Sequence, residues 1–428
     1  MRRRDRLILC FCAAACLALP AVRCQERRAD SLDAYLRMAA ENNPALRADF
    51  LGYQAALRQL PQAGAYPDPT LDMGFFLDPM AIVGGKQVAQ FKLMQMFPWF
   101  GTKGAAHAEA THEARMAYEK FRASRDALYL AVYTQWYKLC ALRQRWLTRR
   151  ESRQLLARLE ELATSRFTAG KGGMSAVLRV RMELAEADDA IAESRSALEV
   201  AEAKFNVLLN RPAATAVQVP DSLEATSYVF DEASTRAGIE RLNPALGLLD
   251  EERLADEAKT KLARKRGYPM LGVGLQYMLN KKTNDPMLGM GGMNGRDMVM
   301  PMVSVSIPIY RAKYKAARRQ GLLWREASRA KYAGTLSALE ARLVEARHEL
   351  DDAARRMALY KEQIRLARSA YELALREFEA GTSGLTNVIE VERQLLDYRL
   401  KSAEAVADYN TKVATIRSLA SFGQEREE

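Results

Sequence analysis

The chain has 428 residues, 49% hydrophobic and 27% charged, with a formal net charge of +11. That balance excludes a collagen-like or disordered chain. Aromatics are only 8%, while Ala, Glu, Arg and Leu recur throughout, the mixture of long helices. The basic residues interleave with Glu on helix faces, so no nucleic-acid partner is expected.

Arg2, Arg3, Arg4 and Arg6 precede an uncharged apolar stretch of thirteen residues, Leu7 to Leu19, followed by Pro20 and small residues. This is the pattern of a secretory signal over residues 1–24, too short to remain as a membrane span. Cleavage is expected between Ala21 and Gln25. Cys24 follows Arg23, a poor context for lipid attachment. Removing 1–24 takes away five Arg and one Asp, which lowers the charge to +7. Cys10, Cys12, Cys16 and Cys24 lie in or beside the signal, and Cys140 alone is clearly mature. Neither a disulfide framework nor a cysteine metal site is expected. No later stretch is long and apolar enough for a membrane helix, so the mature chain is soluble or meets a membrane through strands.

Ser31 is a candidate N-cap for a helix that stops at Asn42-Asn43-Pro44. A second helix takes Ala45 to about Leu60, ahead of Pro61. The second half restates this with Glu232 to Glu240, then Asn243-Pro-Ala-Leu246, identical to Asn43-Pro-Ala-Leu46. The hydrophobic period then changes to two. Leu71, Met73, Phe75 and Leu77 alternate with Asp72, Gly74, Phe76 and Asp78, and Val88 to Phe97 supplies a partner strand. In the second half Leu271 to Tyr277 pairs in the same way with Met302 to Ile307. Gly- and Met-containing loops at 79–86 and 279–299 join each pair. The strand lengths suit a tilted membrane strand, yet four strands cannot close a barrel, and an open edge strands backbone groups in lipid. Two soluble hairpins packed on helices fit the alternation equally well.

From about Lys103 to Ala169 no Pro interrupts a helical run of ~100 Å, and Lys313 to Ala380 is its equal. Ile364, Ala367, Tyr371, Ala374 and Phe378 keep heptad spacing, as do Val388, Val391, Leu395, Tyr398, Ser402, Ala405 and Tyr409 beyond the turn. Return helices run to about Asn210 and Ser421. Phe378 to Leu395 repeats Phe167 to Leu184 without a gap at an offset of 211 residues, with seven of 18 positions identical. The chain is therefore read as an internal duplication. A first repeat covers 25–212, with a β-hairpin at 70–97 and a helical hairpin at 103–210. A connector covers 213–230. A second repeat covers 231–428, with a β-hairpin at 270–307 and a helical hairpin at 313–421.

Each half thus reads helix, strand, strand, long helix, tight turn, helix. With the paired Asn-Pro-Ala-Leu stops, Phe97-Pro98, Ile307-Pro308 and the Phe-x-Ala-Gly turns, this resembles the TolC-like outer-membrane efflux protein family. The resemblance implies a mixed α and β, mostly helical fold. In it three copies pool their strands into a twelve-stranded outer-membrane β-barrel, continued by a periplasmic coiled-coil barrel of α-helices. It implies a homotrimer of Gram-negative bacteria in the outer membrane, in contact with its lipid and extending into the periplasm. There it would work with a periplasmic adaptor and an inner-membrane pump of the resistance-nodulation-division type. The turns with Gly170, Gly173, Gly381 and Gly384 would form the periplasmic tip. Acidic residues that ring the narrow end in such proteins fall at Asn387 and Glu390, of which Glu390 alone carries charge; a plain solvated helix residue is the alternative for it. The first turn is basic, with Lys171, Arg179 and Arg181, and the second carries Glu390 and Glu392 at the positions of both arginines. These are expected to pair across a closed trimer.

No catalytic constellation appears. His107 and His112 are five apart rather than the four that align two imidazoles on a helix, and His348 stands alone. Neither an enzyme nor a cofactor is expected. Met287, Met290, Met293, Met298, Met300 and Met302 crowd into sixteen residues. Thioethers suit Cu(I) or Ag(I), which would fit copper or silver export, whereas gap-filling in an external loop is the plainer reading. The rival to a duct is a secreted or periplasmic coiled-coil scaffold that binds proteins through its hairpins.

Overall fold

The computed structural model describes residues 32–82, 84–285 and 292–423. The secretory signal, Cys24, Met287 and Met290 lie outside the described residues. Two short helices open each half: α1 (Leu32–Asn42) and α2 (Pro44–Ala63), then α5 (Glu232–Leu242) and α6 (Pro244–Lys265). Pro61 does not end α2. It sits in the last turn, where the Gln62 side chain donates to the Arg58 carbonyl at 2.9 Å. The long helices are α3 (Thr102–Thr168) and α7 (Arg311–Ala380), and the return helices are α4 (Met174–Leu208) and α8 (Leu385–Leu419). A turn of 3-10 helix at Ser421–Gly423 follows.

The duplicated Asn-Pro motifs do the same two jobs in both halves. Each Asn side-chain oxygen caps the following helix, Asn43 accepting from Ala45 and Leu46 and Asn243 from Ala245. Each amide group then donates to the last carbonyl of the return helix, Asn43 to Leu208 at 3.2 Å and Asn243 to Leu419 at 2.8 Å. A cap of this kind contributes about 1 kcal/mol. The clamp also fixes the short helices against the end of each long hairpin. Just past both return helices the chain turns through a left-handed residue, Asn210 (φ 52°) and Ser421 (φ 52°).

One antiparallel sheet takes strands from both halves. In chain order they are β1 (Thr70–Phe75), the short β2 (Ala81–Ile82), β3 (Gly85–Phe97), β4 (Met270–Lys281) and β5 (Met298–Ser306). The order β1-β3-β4-β5 joins the halves at β3–β4, with β2 against β3. The loop of the second hairpin is shorter than expected, because β4 runs on to Lys281 and β5 begins at Met298. Met298 is therefore a strand residue rather than a loop residue, and Met300 stands in the same strand ahead of Met302, which was expected there.

The register sorts the side chains by face. Leu71 lies opposite Leu93, Leu93 opposite Leu275, and Leu275 opposite Pro301. Two residues along, Met73, Phe91, Tyr277 and Val299 form the next row of the same face. That face is apolar and open, with Phe75 at 68%, Val273 at 57% and Val303 at 78% exposure. The other face carries an ion pair between Lys92 and Asp72 at 3.5 Å and a Gln276-to-Gln90 hydrogen bond at 3.1 Å.

The helices pack as α3 on α4 and α7 on α8, with α6 lying against both α3 and α7, and α8 against α3. Mid-length, Tyr35 packs edge-on to Phe205 at 5.1 Å and tilted against Trp136 at 5.4 Å. About four turns before Trp136 on α3, Arg122 is buried and donates to Glu119 at 2.8 Å and to the Leu242 carbonyl at 3.0 Å. A buried ion pair of this kind is tolerated because its remaining donors find acceptors. Here those acceptors belong to the other half of the chain.

Candidate functional site

The two helical turns meet at one end of the four long helices. After α3 the chain turns at Gly170 (φ 70°), and the Lys171 amide returns to the Arg166 carbonyl at 2.8 Å. After α7 it turns at Gly381 (φ 81°), and the Thr382 amide returns to Glu377 at 2.9 Å. Left-handed residues at these positions favour glycine because a Cβ crowds the neighbouring carbonyl. Gly173 and Gly384 are the N-caps of α4 and α8, both extended.

Behind the turns one core joins all four helices. Leu156, Leu159 and Ala163 of α3 meet Val177 and Val180 of α4, Tyr371 and Phe378 of α7, and Val388 and Leu395 of α8. Of the expected seam, Ala367, Tyr371, Ala374, Phe378, Val388, Leu395 and Ala405 are buried, while Ile364, Val391 and Tyr398 sit at its rim.

Arg166 binds the two turns together. Its guanidinium donates to the Phe378 carbonyl, to Glu379 at 3.1 Å and to Lys171 at 3.3 Å, and lies 4.9 Å from the Phe378 ring. Nothing in the sequence marks this Arg among the many on the long helices.

The charged residues around the turns separate into distinct environments. Arg179 donates to the Thr386 hydroxyl at 2.7 Å, and Arg181 pairs with Glu160 at 2.7 Å. Arg393 pairs with Glu183 at 2.5 Å and reaches Glu186 at 3.6 Å. Asn387 and Glu390 are both exposed on α8; Asn387 contacts Ser383, and Glu390 has no ion pair among the described residues. Glu392 turns the other way. It is 3% exposed and accepts a short hydrogen bond from Ser152 on α3. Burial pushes its carboxyl above the usual range, opposed by the Ser152 hydrogen bond and reinforced by Glu183. Its carboxylate is thus not offered at the protomer surface, and within the protomer neither Arg179 nor Arg181 is its partner.

Groups that suggest chemistry elsewhere are occupied structurally. His112 bonds Glu251 at 2.7 Å, and the His107 ring Nδ1 lies 3.5 Å from the Thr111 hydroxyl. Among the described residues no three His, Cys, Asp or Glu side chains cluster as metal ligands. Burial pushes the Cys140 thiol up to about 12, away from thiolate chemistry. No described helix is long and apolar enough to cross a membrane.

The chain thus combines an open sheet with one apolar exposed face and two long helical hairpins. Residues 241–421, almost all of the second repeat, match the family of outer membrane efflux proteins. The fold is similar to that of VceC from Vibrio cholerae, at 14% identity and a TM-score of 0.71 over 91% of this chain and 96% of that one. CusC is similar at 14% identity and a TM-score of 0.73, covering 91% and 92%. The open-state MtrE channel of Neisseria gonorrhoeae gives 15% and 0.66, covering 92% and 90%. No curated protein matches the chain. The resemblance to TolC-like outer-membrane efflux proteins therefore stands, carried by sequence in the second repeat and by fold across the whole chain.

Proposed function

We propose that the protein is the outer-membrane channel of a tripartite efflux system, a passive conduit from an inner-membrane pump and periplasmic adaptor to the exterior. The observation that carries this reading is the sheet: one face is mostly apolar and exposed, and its edge strands β1 and β5 are each paired on one side only, β1 with β3 and β5 with β4. Such a sheet is stable in hydrocarbon only when closed, and three copies of four strands make a barrel of ordinary size. A secreted scaffold would need neither feature. The turns at Gly170–Gly173 and Gly381–Gly384 then face the adaptor, with Arg179 and Arg181 at the rim. Glu390, exposed and without an ion pair among the described residues, lines the narrow end, where three carboxylates attract cations.

The test is extraction and conductance. A trimer from the outer-membrane fraction that conducts in planar bilayers is expected, and a soluble periplasmic monomer overturns the reading. Replacing Glu390 with Ala is expected to lower cation-over-anion selectivity several-fold in single-channel records. Unchanged selectivity removes Glu390 from the gate while leaving the conduit intact. Copper or silver as cargo has support in the methionines of β5, taken up next.

A further inference from the structure

The register of the sheet gathers methionines that lie far apart in the chain. On the face opposite the apolar one, Met94 is aligned with Gly274 and Gly274 with Met302; Gln90 is aligned with Met278 and Met278 with Met298. Met96 is aligned with Gly272, and Gly272 with Ser304. Side chains on a strand alternate between faces, so all of these stand on the polar side with Lys92 and Asp72. If the sheet closes with its apolar face to lipid, this side lines the conduit.

Two thioethers converge at one point of that side. The Ser304 hydroxyl lies 3.7 Å from Met94 Sδ and 3.6 Å from Met96 Sδ, so both sulfurs of β3 reach across β4 to β5. They can do so because the strand between them has no side chains there. A Cβ on Gly272 would stand 2.6 Å from Met96 Sδ and 2.2 Å from Ser304 Oγ, and one on Gly274 would stand 3.0 Å from Met94 Sδ. Two glycines thus form a floor over which the thioethers lie. Met94 is only 6% exposed, held in this arrangement rather than loose at the surface. Lys92, two residues from Met94 on the same face, is paired with Asp72.

We propose that Met94, Met96 and Ser304, above the Gly272 and Gly274 floor, form a binding site for a soft monovalent cation, Cu(I) or Ag(I). Two neutral thioethers and a hydroxyl suit such an ion and not Mg²⁺, Ca²⁺ or Zn²⁺. Met302 and Met300 on β5 continue the thioether lining beyond it. A site without carboxylate or thiolate binds weakly enough to release its ion, as passage requires. The inference that the ion is cargo rests on the conduit reading; the site itself does not.

The probe is silver ion in chloride-free buffer, added to the full-length trimer in detergent. Hydrogen peroxide oxidises methionines, and the peptides are read by mass spectrometry. Silver is expected to slow oxidation of Met94 and Met96 at least tenfold while Met182, 66% exposed on α4, reacts as before. Equal rates with and without silver overturn the site. This arm uses unaltered protein, so it holds even if a variant misfolds. In a second arm, Met94→Leu with Met96→Leu is expected to weaken silver binding tenfold or more, and unchanged affinity overturns the proposal. Bilayer conductance on the same preparation separates the two ideas. Protection without conductance keeps the site and removes the conduit; conductance without protection does the reverse.

Discussion

Glu392 shows how one carboxylate can be read two ways. Its place opposite Arg181 in the repeat suggests a surface charge, but the heptad phase of α8 turns it inward onto Ser152. Burial raises its folded pKa above the unfolded value, so its charged form opposes folding. The protein therefore gains stability from this group below the ordinary carboxylate range and loses it as pH rises through the folded pKa. Glu392→Gln keeps an acceptor for Ser152 and removes the charge. It is expected to raise the thermal midpoint by a few degrees at pH 7.5 and to change it little at pH 4. Calorimetry at both values checks this; an equal gain at both would mean that charge burial is not the cause.

At the scale of the element, the two turns are coupled through Arg166, not independent loops. Arg166→Ala removes donors to three carbonyls and the contact with the Phe378 ring. The expected local cost is about 1–3 kcal/mol. Amides near Gly381 should exchange with solvent roughly tenfold faster or more, while those of the Tyr35 cluster stay unchanged. Arg166→Lys, which keeps the charge without the fork, should recover little of the loss. The long helices and both turns were legible in the sequence, because absent prolines, heptad spacing and duplicated glycines act locally. The strands were legible as alternation, although β2 left no signal. What the sequence does not show is pairing across the halves. Met94 and Ser304 are 210 residues apart, and the β3–β4 and β4–β5 registers together bring them into contact. The crowding of methionines along the chain pointed to Met293 and its neighbours. The convergent pair, Met94 and Met96, lies on a different strand. Arg166 was illegible for the same reason, since its partners in the second turn, Phe378 and Glu379, lie more than 200 residues away.

Taken whole, the molecule separates a sheet with one apolar face from a charged helical body, and that division sets where mutations are tolerated. Val303, 78% exposed on the apolar face, faces lipid in the proposed assembly. Val303→Lys is expected to cost about 2–4 kcal/mol near the bilayer midplane. The check is the yield of folded trimer in lipid vesicles. Thr70→Lys, on the polar face at the edge of the sheet, should insert nearly as well as the wild type. Equal yields for both would mean that the apolar face is not the lipid face.

The lengths of the hairpins carry a last consequence. The long helices have 67 and 70 residues, and the return helices 35 each. The three-residue excess amounts to about 4.5 Å, less than one helical turn. Arg166 can span from one turn to the other only because both end level. The four helices therefore act as a matched set of rulers. Length can drift freely in the loops between strands, which bear on nothing below them. A heptad gained or lost in α7 alone would lift one turn some 10 Å out of line and break the bridge. Only paired changes in both hairpins would lengthen or shorten the body and still leave a flat rim.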